Sequence, residues 1–90
     1  MNTIKVYYFA SVKDHIKKSY DIIEISTNTF ENTQVFLDFI ASKYSSIEKE
    51  LNVLFKNCLI SINDTYLEKD EKLVLKNDDE LSIIPPISAG

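Results

Sequence analysis

The residues of this chain that join a chemically useful type to a telling position lie at its C-terminal end. The run Ile84-Pro85-Pro86-Ile87-Ser88-Ala89-Gly90 begins as a strand and cannot continue as one. Each proline lacks the N–H that a ladder needs and biases the preceding residue toward an extended conformation. The diproline is therefore expected to eject residues 85–90 from a sheet along a stiff, polyproline-like path. At ~3.1–3.3 Å per residue, the segment beyond Pro85 reaches about 15 Å from the body. It narrows through Ser88 and Ala89 to Gly90, the single glycine among 90 residues. Such a peg is shaped to enter a tunnel and present a terminal carboxylate. Composition alone supports the opposing expectation of a frayed terminus, the ordinary condition of chain ends.

Conventional catalytic groups are sparse. His15 sits in a lysine-rich helical turn without an obvious Cys or Ser partner and reads as a surface histidine. Cys58 lies in an apolar strand, where free cysteine packs as a small hydrophobe. Asp78, Asp79 and Glu80 read as a solvated turn, because a divalent cation needs several converging oxygens. One cysteine excludes an internal disulfide, and one cysteine with one histidine cannot furnish a zinc site of N and S ligands, so no metal is expected. The ten cations are all lysine against fourteen carboxylates, and a net charge of −4 argues against nucleic acid as the main partner. No apolar run approaches the ~20 residues of a membrane span, and the start has no hydrophobic segment of signal-peptide length. A cytoplasmic, reducing location is expected, in agreement with the lone cysteine.

The elements that must position the tail follow from periodicity. Ninety residues suffice for one domain, with most apolar residues in a single core. Residues 4–10 read as a strand with two apolar faces, Ile4, Val6, Tyr8 and Ala10 on one and Tyr7 and Phe9 on the other. A helical turn over 11–18 follows, with Ser11 and Asp14 at capping-box spacing. Residues 21–26 form a second β-branched run, and Asn32 or Thr33 caps a helix whose face carries Phe36, Phe39, Ile40 and Tyr44. Ser45-Ser46-Ile47-Glu48 repeats the capping-box pattern and opens a segment with Ile47, Leu51, Leu54 and Phe55 on one side. Residues 58–62 form a strand ended by an Asn63-Asp64 turn, 66–68 a short edge strand, and 73–75 a further extended stretch. Asn77-Asp78-Asp79 turns into a last strand at 81–84. The order predicts an α+β fold, a mixed sheet packed on a helical block. If the first two strands form a hairpin and the last pairs beside the first, the arrangement is a β-grasp.

Three stretches carry a resemblance that spans essentially the whole chain around a variable helical middle. They are Ile4-Lys5-Val6-Tyr7-Tyr8-Phe9-Ala10, Ile60-Ser61-Ile62-Asn63, and Asp79-Glu80-Leu81-Ser82-Ile83-Ile84-Pro85-Pro86-Ile87-Ser88-Ala89-Gly90. With them the chain resembles the MoaD-like sulfur carriers, the small subunits of molybdopterin synthase, which have a ubiquitin-like β-grasp fold. The resemblance implies a β-grasp domain over 1–84 and an extended tail over 85–90. It implies that a ubiquitin-activating-like enzyme spends ATP to adenylate the Gly90 carboxylate, and that a sulfur donor converts it to a thiocarboxylate. Pro85, Pro86, Ile87, Ser88 and Ala89 would then insert into the large synthase subunit, which supplies the catalytic side chains for molybdenum cofactor biosynthesis in a heterotetramer. No cofactor bound to the carrier itself is implied.

The same resemblance puts the partner-facing apolar positions at Phe9, Tyr66 and Ile84. The alternative is that residues 46–55 fold over these side chains and make them core. Two positions depart from the family pattern: Ala89 stands where a Gly-Gly ending has glycine, and Asp78 where the turn before Asp-Glu has glycine. Alanine reaches φ > 0 only at a cost of ~1 kcal/mol or more. Other readings remain open: a thiamine-pathway sulfur carrier, a ubiquitin-like modifier, or a β-grasp interaction module with an inactive tail. The diproline favours the molybdenum pathway among the carriers.

Overall fold

The computed structural model describes residues 2–86. Strand β1 (Asn2–Tyr8) alternates as the sequence predicts, burying Ile4, Val6 and Tyr8 on one face. It ends before Phe9 rather than at Ala10, which adopts φ 50 and opens helix α1 (Ala10–Ile16). The Ser11 capping box is not used, because the helix starts two residues too early for Ser11 to stand at its cap. Val12 and Ile16 bury one side of α1, and Lys17 closes it in the left-handed region. Strand β2 (Tyr20–Ile25) returns antiparallel to β1. The expected hairpin therefore has α1 as its connection in place of a tight turn.

Strand β3 (Thr29–Phe30) went unforeseen in the sequence and pairs with β6 (Leu73–Val74) as a separate two-stranded ribbon. Helix α2 (Thr33–Ser42) begins where Asn32 accepts a hydrogen bond from the Val35 N–H at 3.0 Å. Its apolar side carries Phe36 and Ile40, and Phe30 packs edge-on to Phe36 at 5.1 Å between ring centroids. Tyr44 falls beyond the helix end. A 3-10 turn (Ser45–Ile47) leads into α3 (Glu48–Phe55), again without a side-chain cap, so the second capping-box pattern is also idle. Leu51 and Phe55 face the core.

Strands β4 (Leu59–Ile62) and β5 (Thr65–Tyr66) form a hairpin through Asn63 and Asp64, at φ 47 and 73. Two successive left-handed residues give the turn whose twist matches paired strands, and Asn and Asp tolerate that region. Asp78, at φ 70, turns the chain into β7 (Glu80–Ile84). The main sheet has the order β2-β1-β7-β4-β5, with β7 parallel to β1 and antiparallel to β4. Ile4, Val6, Tyr8, Ile60, Leu81 and Ile83 line the covered face, against Phe36, Leu37, Ile40, Leu51 and Phe55 from the helices. The opposite face has no helix on it among the described residues.

Candidate functional site

The tail is launched from the middle of the sheet. Strand β7 lies between β1 and β4, in register from Lys5↔Glu80 to Tyr8↔Ile83 on one side and from Ile62↔Leu81 to Leu59↔Ile84 on the other. It stops at Ile84, where Pro85 has no N–H to offer a ladder. Pro85 is buried and Pro86 is exposed, so the root of the stem is held against the body. Ile87, Ser88, Ala89 and Gly90 lie outside the described residues.

The opposite end of β7 is fixed by a clasp that the sequence did not announce. Asp79 is only 7% exposed, not solvated as expected for this turn. Its carboxylate accepts from the Asn63 Nδ2 at 3.0 Å and from the Lys76 N–H at 2.7 Å. Asn63 Oδ1 in turn accepts the Glu80 N–H at 3.0 Å. The clasp ties the β4–β5 turn to the start of β7 and leaves no buried side-chain polar atom unpaired among the described residues. A buried carboxylate is tolerated only with such partners.

Phe9, Tyr66 and Ile84 come together on the uncovered face. Phe9 is 45% and Tyr66 64% exposed, while Ile84 is half-buried. Residues 46–55 pack on the other side of the sheet through Leu51 and Phe55 and do not cover them. Leu59, which faces Ile84 across the β4–β7 ladder, is also exposed and belongs to this patch. It was detectable from alternation, since Ile60 and Ile62 point to the core and Leu59 must point away. Between β1 and the β4–β5 turn, Tyr7, Phe9, Asn63, Asp64, Glu80 and Ser82 line a shallow cavity of ≈ 320 Å³. Exposed contiguous apolar surface with a polar border is the character of a protein-docking face.

The remaining chemical candidates are structural. His15 is exposed, with its Nδ1 2.9 Å from the Ser11 carbonyl oxygen. Cys58 is buried just before β4, its thiol donates to the Leu54 carbonyl oxygen, and burial pushes its pKa up to about 11. An inert thiol results. Asp21 accepts hydrogen bonds from the hydroxyls of Tyr8 and Tyr44 and pairs with the Lys18 ammonium at 3.1 Å. Partial burial opposes its ionisation, but these donors outweigh it and hold the carboxyl below its ordinary range. Among the described residues, no group of three or more His, Cys, Asp and Glu side chains is arranged to hold a metal ion. Nor is any described helix long and apolar enough to cross a membrane. Among the described residues, this surface offers an apolar patch beside the end of β7 and brings no nucleophile and base together.

The sequence profile of the ThiS family matches residues 6–90, from within β1 to the last residue of the tail. The chain belongs to the ThiS family. It is 33% identical over 90 residues to the molybdopterin synthase sulfur carrier subunit of Mycosarcoma maydis, covering 98% of this chain and 94% of that one. Among solved structures it is similar to SAMP1 from Haloferax volcanii, with a TM-score of 0.72 and 16% identity over 99% of this chain and 100% of that chain. It is also similar to a chain in the complex of subunits 1 and 2 of the molybdopterin-converting factor from Helicobacter pylori. There the TM-score is 0.59 at 20% identity, over 98% of this chain and 99% of that one. The ThiS-family chain thus has the ubiquitin-like β-grasp fold of these proteins.

Proposed function

We propose that this chain is the sulfur carrier subunit of a molybdopterin synthase, with the carboxylate of Gly90 as the reacting group. The observation that carries the proposal is the likeness to a sulfur carrier subunit over 98% of the chain, beside a ThiS-family match that reaches the terminal glycine. The fold supports it, because β7 leads into the diproline from the sheet centre beside an exposed apolar face. Adenylation by a ubiquitin-activating-like enzyme spends ATP and converts a poor electrophile into one with AMP as leaving group. A sulfur donor then forms the C–S bond as the bond to AMP breaks, giving a thiocarboxylate, a strong sulfur nucleophile at neutral pH. Gly90 has no Cβ, so its carbonyl admits close approach in a narrow channel. The partners supply the catalytic side chains and this chain supplies the group and its orientation.

The large synthase subunit is the partner proposed for Phe9, Leu59, Tyr66 and Ile84, with Pro85, Pro86, Ile87, Ser88 and Ala89 as the inserted stem. The complex of two subunits seen for the Helicobacter pylori protein supports a partner of this kind. A cytoplasmic location fits the buried free thiol of Cys58.

The test is incubation with the activating enzyme, ATP and a sulfur donor, followed by intact-protein mass spectrometry. Exchange of oxygen for sulfur at Gly90 is the expected result, and its absence in both this chain and Ala89→Gly would refute carriage. Exchange only after Ala89→Gly would assign the loss to the extra methyl. Co-purification with a large synthase subunit is expected, and binding to thiazole-forming machinery in its place would move the carrier to the thiamine pathway.

A further inference from the structure

The main sheet has two edges, and the fold treats them differently. Native sheets blunt an edge by brevity, proline, lysine or a bulge, because unpaired N–H and C=O groups template further pairing. At one edge β5 has only two residues, Thr65 and Tyr66. The other edge, β2, has six, Tyr20-Asp21-Ile22-Ile23-Glu24-Ile25, with neither proline nor lysine. Its register with β1 runs unbroken from Asn2↔Ile25 to Tyr7↔Tyr20, so no bulge bends it away.

The phase of the ladder shows what this edge presents. The Tyr8 N–H donates to the Ser19 carbonyl oxygen at 2.9 Å, which makes every second pair along the strands a bonded one. Asp21 and Ile23 therefore spend their backbone groups on β1, and Tyr20, Ile22 and Glu24 direct theirs outward. The side chains of these outward residues stand on the uncovered face, with Tyr20 45% and Ile22 66% exposed. Asp21 does not obstruct the edge, because its carboxylate turns to Tyr8, Tyr44 and Lys18.

We propose that β2 pairs antiparallel with β2 of a second copy of this chain, on a two-fold axis at Ile22. The occupant follows from self-complementarity, which a two-fold interface requires. Pairing outward residues about that axis sets Ile22 against Ile22 of the second copy and Tyr20 against Glu24. The Lys5 ammonium lies 4.4 Å from the centre of the Tyr20 ring, so it faces the Glu24 that arrives there. Each end of the interface brings a cation to a carboxylate, and the centre brings apolar to apolar. Leu59 and Tyr66 lie on β4 and β5 at the far flank of the sheet, and Phe9, at the end of β1, is set in from the β2 edge, so the patch stays free. A five-residue ladder, Tyr20 to Glu24, belongs with the smaller interfaces, below about 1,200 Å² in total, so the dimer forms reversibly with concentration.

Sedimentation equilibrium of the full chain from micromolar to millimolar tests this. A monomer–dimer equilibrium is expected, abolished by Ile22→Lys and unchanged by Phe9→Lys. Glu24→Lys should weaken it at least tenfold, and Lys5→Glu combined with Glu24→Lys should restore it. As a readout that survives a poorly folded lysine variant, Ile22→Cys should form an intermolecular disulfide on mild oxidation, since bonded antiparallel pairs hold Cα atoms about 5.5 Å apart. Glu24→Cys, which meets Tyr20 of the second copy, should not. Cys58 is buried and stays silent. A monomer across the whole range, a dimer sensitive to Phe9→Lys rather than Ile22→Lys, or equal cross-linking through both cysteines would overturn the proposal.

Discussion

At the scale of single residues, the buried Asp79 and the half-buried Asp21 carry more of the structure than their sequence context suggested. Asp79 satisfies two donors inside the β7 clasp. Asp79→Ala leaves them unpaired and should cost about 1–3 kcal/mol in urea denaturation. Asp21 has a depressed pKa, so its contribution is complete above the unfolded carboxylate pKa and is lost as pH falls through the folded one. Asp21→Asn should therefore be clearly less stable than the parent at pH 7, with the gap closing below about pH 4. Thermal melts of both proteins across that interval measure the closure. Neither role was legible from the chain, since each depends on partners distant in sequence. Asn63 meets Asp79, and Tyr44 meets Asp21, only after the strands and helices have assembled.

At the scale of elements, legibility tracked how local the cause was. Helix α2 was readable because Phe36 and Ile40 repeat at helical spacing and Asn32 can cap within its own turn. Asn32→Ala should lower stability by about 1 kcal/mol, measured by chemical denaturation. The Asn63-Asp64 turn was readable for the same local reason. Strand β3 was not, because two residues have no periodicity and Thr29–Phe30 owes its conformation to β6, far along the chain. The idle capping boxes at Ser11 and Ser45 show the opposite error. Tertiary contacts set where α1 and α3 begin, and the local pattern then had no helix end to cap.

At the scale of the whole molecule, the sheet has one face packed on the helices and one left open among the described residues. Alternation along the first strand revealed two apolar faces, but only the assembled order showed that Phe9, Leu59, Tyr66 and Ile84 meet. Phe9→Lys should weaken binding of the large subunit at least tenfold in calorimetry, with a melting temperature close to the parent's, because Phe9 is 45% exposed. Deleting Gly90 should abolish sulfur loading by mass spectrometry while leaving the melting temperature unchanged, because the described core reaches only to Pro85.

The central position of β7 also has a mechanical consequence. A partner that threads the stem or pulls it free applies force along the axis of that strand. Ladders on both sides, to β1 and to β4, then bear the load together as shear, and no edge peels open bond by bond. The Asn63–Asp79 clasp anchors the far end of the same strand. A pull transmitted to Pro85 and Pro86, as the proposed docking would bring, is thus carried by both ladders and leaves the body folded.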